Sequence, residues 1–284
     1  MKYLLALTAA LSLSAATFQV ELAGTKGKPP MILIPGLSSS GDVWKETVAR
    51  YKDKYECHVL TLAGFAGVPI TNKEPGMLLR VRNDLAAYIR DNKLEKPVIA
   101  GHSLGGFLAL WLASSEPSLT GPLVIVDSLP SLAAVFGPGF DAKPMRDMIA
   151  NQPKADYDNF VKSGVSLRGM TTSADRLETI KQWSLGSDQW AVANGMYDLM
   201  TTDLRPDVAK IQARTLVLGS WIGMKEYTTR AAVEGNFRQQ YASLPGHQFA
   251  LAENAKHFIM YDDPNWFFAQ LDAFLLPSKA PATK

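Results

Sequence analysis

A chain of 284 residues with 47% hydrophobic side chains can bury one sizeable core, and its length allows two domains at most. The 29 basic and 27 acidic side chains leave a formal charge of +2, with no basic block longer than two residues, which gives nucleic acid or an anionic membrane surface no footing. A single cysteine, Cys57, excludes an internal disulfide.

Lys2, the apolar run 3–13 and the small residues Ser14-Ala15-Ala16 have the form of a secretion signal. Residues 1–16 are therefore expected to be removed, and the mature protein to be periplasmic or secreted. The stretch is too short for a comfortable membrane span, so no stable membrane insertion is expected.

Residues 18–22 alternate as a strand, and 31–34 form a short apolar strand that runs into Pro35-Gly36-Leu37. Helical signals follow over 43–51, then a strand over 56–62, a loop rich in Gly and Pro, and a helix over 77–92. Short strands over 98–102 and 123–126 bracket another helical run that reaches Ser115. Strands separated by helices indicate a parallel sheet.

Between Asp127 and Ile211 the rhythm changes to short helices over 144–151, 156–163, 173–183 and 187–200, with no strand. Alternation resumes with a strand over 215–218, a helix over 231–241, a strand over 248–251 and a helix over 264–275. The expected fold is α/β: a mostly parallel central sheet flanked by helices. Its core comprises 17–127 and 212–276, with an inserted helical cap over 128–211 and a frayed tail over 277–284.

One stretch carries chemistry. Val98-Ile99-Ala100-Gly101-His102-Ser103-Leu104-Gly105-Gly106 takes a strand through G-x-S-x-G directly into a helix. A serine on so sharp a turn stands out above the sheet, and side chains at Gly101 and Gly105 would collide as strand and helix close. The helix opening at Leu104 aims free amides at the same point.

A serine nucleophile needs a base. Of the four histidines, His58 lies in a strand, His102 points away from Ser103 by alternation, and His247 precedes the last strand. His257 lies in the loop that leaves the carboxyl end of that strand, where chemistry gathers in open α/β sheets. It is the candidate base.

From about Phe18 to Leu275 the chain resembles the α/β-hydrolases with a helical cap. The motifs that carry this are Pro35-Gly36-Leu37 followed by Trp44, the Gly101–Gly105 elbow, and His257-Phe258-Ile259-Met260 followed by Asp263-Pro264. The resemblance implies that the Leu37 and Leu104 amides form an oxyanion hole; many members have His-Gly where this chain has Pro35-Gly36. In most members the acid follows the strand here read as 215–218, but the first carboxylate after it is Glu226. A minority place it one strand earlier, which corresponds to Asp127. Asp127 is the preferred acid and Glu226 the alternative. Asp262 and Asp263 are expected to cap the final helix.

Together these features point to a serine hydrolase that cleaves carboxylic esters through an acyl-enzyme, with Ser103, His257 and Asp127 catalytic. The expected partner is a small-molecule ester with an apolar group, suggested by the Met and aromatic residues of the cap. No metal or organic cofactor is expected, because no metal-ligand spacing or phosphate-binding loop occurs. The same triad could cleave C–C bonds, lactones or amides, and a non-catalytic binding protein could share the fold.

Overall fold

The computed structural model describes residues 17–137 and 139–276. The secretion-signal and tail expectations, 1–16 and 277–284, lie outside the described residues.

The strands are β1 (Phe18–Gly24), β2 (Pro30–Ile34), β3 (Glu56–Leu62), β4 (Val98–His102), β5 (Leu123–Val126), β6 (Thr215–Ser220) and β7 (Gln248–Ala252). The helices before the long insertion are α1 (Lys45–Tyr51), α2 (Met77–Asp91) and α3 (Leu104–Ser115). Those of the insertion between β5 and β6 are α4 (Lys143–Asn151), α5 (Lys154–Lys162), α6 (Ala174–Leu185) and α7 (Gln189–Thr201). Then come α8 (Arg230–Gln240), the single turn α9 (Ile259–Asp262) and α10 (Pro264–Leu275).

The sheet has the order β1-β3-β2-β4-β5-β6-β7. β1 pairs antiparallel with β3, and every other neighbouring pair is parallel. This is the α/β architecture that the alternating elements imply.

Successive residues of a strand face opposite sides, and both sides are covered. Ile32, Ile34, Ile99, Ile125 and Val217 pack with α2, α3 and Phe237 of α8. Met31, Leu33, Ala100, Val124 and Leu218 pack with Tyr51 of α1 and Phe267, Leu271 and Phe274 of α10. The central strands therefore read as unbroken apolar runs. α3 is buried on nearly every side, as a helix apolar all round must be. Each fully buried Leu or Phe on it contributes roughly 1.5–3 kcal/mol.

Among the described residues the insertion contains no strand. Its last helix, α7, packs on α2 and α4. α10 begins where Asp263 accepts the Trp266 amide (3.2 Å), with Pro264 in the first turn where no N–H is needed. Asp262 does not share that cap. It accepts the amides of Thr172 (2.9 Å) and Lys256 (2.8 Å), which ties the insertion to the loop after β7.

Candidate active site

Strand register brings the candidate residues together. His102 pairs with Val126 across β4 and β5, and Val126 with Leu218 across β5 and β6. Ser103 and Asp127 are thus the first residues past adjacent strand ends. The Ser103 amide donates to the Val126 carbonyl (2.8 Å) and the Asp127 amide to the Leu218 carbonyl (2.7 Å).

Ser103 adopts φ 54°, ψ −119°, a conformation that costs on the order of 1–3 kcal/mol and persists only where its surroundings impose it. The glycines on either side are what allow it. A Cβ on Gly101 would lie 2.2 Å from the Gly105 carbonyl oxygen, and one on Gly105 would lie 2.2 Å from that of Ile34.

Ser103 opens onto a cavity of about 640 Å³, whose wall also includes Leu104, Asp127, Ser220 and His257. The rest of the wall is mainly apolar, with Leu129, Leu132, Met170 and Leu199 from the insertion and Val233 and Phe237 from α8. The insertion therefore supplies one side of the cavity and α8 another.

His257 Nδ1 and Asp127 Oδ2 are 2.6 Å apart. A carboxylate only accepts, so Nδ1 carries a proton, and in the neutral form of the ring the lone pair is on Nε2. The carboxylate is itself held: Ser220 donates its amide to Oδ1 (2.7 Å) and its hydroxyl to Oδ2 (2.8 Å). Asp127 reaches this position with φ 45°, a left-handed conformation that Asp tolerates better than most residues. Tyr241 donates its hydroxyl to the next carbonyl, that of Ser128 (2.7 Å). Burial, reinforced by the charge of Asp127, pushes this phenol well above its ordinary range and keeps it a donor.

Glu226, the alternative acid, is exposed in the segment after β6, and the His257 ring bonds to Asp127 instead. Leu104 provides the first amide of α3, which has no partner within the helix. Leu37 is half-buried and does not form part of the cavity wall. Its loop lies against Ser103, since a Cβ on Gly36 would come 3.2 Å from Ser103 Cβ. Two further residues contact the candidate pair without a signal in the sequence pattern: Ser220, which donates to Asp127, and His102, which is buried beside His257.

Among the described residues, no group of three or more His, Cys, Asp or Glu side chains is placed to hold a metal ion, and no helix is long and apolar enough to cross a membrane.

Residues 31–270 match the sequence model of the alpha/beta hydrolase family. The chain belongs to this family. Relatives of this alpha/beta hydrolase include the pimeloyl-[acyl-carrier protein] methyl ester esterases of Vibrio parahaemolyticus and Pectobacterium carotovorum. They are 27% and 24% identical, and each alignment covers 87% of this chain and 94% of the relative. A thermophilic esterase from Thermogutta terrifontis superposes with a TM-score of 0.75 at 20% identity, covering 91% of this alpha/beta hydrolase and 92% of the esterase. An enol-lactonase from Burkholderia xenovorans superposes with a TM-score of 0.74 at 17% identity, covering 91% and 96%.

Proposed function

We propose that the protein is a serine hydrolase of carboxylic esters. The observation that carries this reading is the 2.6 Å His257–Asp127 hydrogen bond on the same cavity wall as Ser103. Ser103 Oγ attacks the acyl carbon while His257 Nε2 takes its proton, and the imidazolium that forms is stabilised by Asp127. The negative oxygen of the tetrahedral intermediate meets the amides of Leu104 and Leu37. His257 then gives the proton to the departing alcohol oxygen. Water, activated by the same base, releases the acid and restores Ser103.

The apolar lining suits an apolar acyl or alcohol group, held by burial while polar atoms converge only at the reacting end. Relatives named as methyl ester esterases support a linear ester over a C–C bond, lactone or amide. A fluorophosphonate probe and a panel of p-nitrophenyl esters, lactones and anilides test the assignment together. Labelling at Ser103 with ester turnover that disappears in Ser103→Ala is the expected result. Labelling at another serine in active protein would overturn it, and an unlabelled, inactive chain would indicate a binding protein.

We also propose export, supported by the charged, apolar and small-residue order of residues 1–16. N-terminal sequencing from the native host should find a start near Thr17; an intact Met1 in cytoplasmic material would refute this.

A further inference from the structure

Proton transfer uses one atom of His257, yet almost everything else about that residue is tied down. Its amide donates to the Gly169 carbonyl (3.2 Å), its Nδ1 donates to Asp127, and its own carbonyl lies 3.0 Å from His102 Nε2. Among the described residues, Nε2 is the single polar atom of His257 with no hydrogen bond.

His102 is fully buried. A carbonyl oxygen only accepts, so His102 Nε2 carries the proton and Nδ1 is a bare acceptor. That Nδ1 has no partner and faces Gly36, where a Cβ would come within 3.1 Å of it. The ring also packs on those of His257 (centroids 4.6 Å apart) and Phe258 (4.5 Å). Burial, aided by nearby His257, depresses its pKa well below the ordinary value and keeps it neutral.

An imidazole is a poor choice for mere filling here. A buried acceptor without a partner destabilises the fold, and a Leu or Phe of similar bulk would carry none. What the imidazole adds is a rigid donor at the reach of the His257 carbonyl, joined to a flat face against the His257 ring.

We propose that His102 is a positioning residue that sets His257 Nε2 over Ser103, holding the main chain of the base through its Nε2–H while its ring braces the Gly36 loop. The proposal rests on the catalytic reading above. His102 touches no substrate and acts only through its neighbours.

The test compares His102→Leu, His102→Gln and His102→Asn with His257→Ala, using p-nitrophenyl butyrate. Glutamine places an amide nitrogen where imidazole has Nε2, whereas asparagine places one where it has Nδ1. His102→Leu and His102→Asn should lose kcat on the order of 10- to 100-fold, as a misplaced catalytic group does, with KM within about twofold. His102→Gln should recover most of that loss. Equal kcat in all folded variants, or glutamine as impaired as asparagine, overturns the proposal. If leucine prevents folding, the two amides still decide. Nitrogen-15 NMR of the wild type gives an independent check: His102 should be neutral with Nε2 protonated, and a proton on Nδ1 would refute the brace. Activity retained by His257→Ala would instead bring down the catalytic reading itself.

Discussion

Asp127 leaves β5 in a left-handed turn, and from there its Oδ2 takes hydrogen bonds from both His257 Nδ1 and the Ser220 hydroxyl. The carboxylate that meets the His257 ring is thus itself held in orientation. In Asp127→Asn, the amide oxygen can keep the Ser220 amide at the Oδ1 position, but an NH₂ then faces His257. The ring must answer with a bare Nδ1, which moves its proton to Nε2 and removes the acceptor that the serine needs. Turnover should fall by about four orders of magnitude with little change in melting temperature. Glu226→Gln should be nearly silent. Steady-state kinetics of the pair checks this, and a crippled Glu226→Gln would move the acid to the later position.

Ser220→Ala removes one of the two donors that hold Asp127 and leaves the backbone donor in place. A lost hydrogen bond to a charged group corresponds to about 1.5–3 kcal/mol. Expressed mainly in the alignment of His257, that loss should lower kcat on the order of 10- to 100-fold while KM stays near the wild-type value. Unchanged kcat would mean that the backbone donor suffices.

Gly105→Ala forces a methyl carbon to within 2.2 Å of the Ile34 carbonyl oxygen, where no side chain can swing away. The helix must lift from the sheet. The expected loss is about 3 kcal/mol or more, above the usual range for overpacking, and denaturant unfolding measures it. Activity should fall with it, since Leu104 and Ser103 move as the elbow opens.

His102 also gives the fold an acid sensitivity. Its native pKa lies well below the ordinary 6.5, so below that pH the unfolded chain binds a proton that the native state refuses. Native stability must therefore decline as pH falls below about 6.5. The unfolding free energy of His102→Gln should depend less steeply on pH across this window than that of the wild type. Parallel slopes would place the neutral imidazole in doubt.

Much of this architecture is legible along the chain because it depends on local chemistry. An apolar run as short as Val124-Ile125-Val126 bounded by turns has little alternative to a buried strand, and Asp263-Pro264 marks the start of α10. The elbow is legible because two glycines are needed at fixed spacing for a steric reason. The carboxylate partner of His257 is not, since choosing Asp127 over Glu226 depends on how β4, β5 and β6 align, and register is a property of three strands at once. Ser220 escapes for the same reason: a serine closing a strand carries no sign of what lies beside it. Asp262 sits where a helix cap is expected, yet the nearest unmet amides belong to Thr172 and Lys256, ninety and six residues away in sequence. His102 follows the alternation rule in avoiding the cavity. Its partner is a main-chain carbonyl 155 positions further on, beyond the reach of any pattern.

The amides of His257 and Phe258 hang from the carbonyls of Gly169 and Met170, so the loop that carries His257 is suspended in part from the insertion. For anyone reshaping the pocket, this sets a boundary. Exchanging the whole segment between β5 and β6 for one of different size would alter not only which molecules enter but how well the imidazole is aimed. Such hybrids should turn over every substrate slowly, including those that fit. Redesign confined to side chains such as Leu199 and Val233 leaves both anchor points in place, and there a change in preference need not come at the expense of rate.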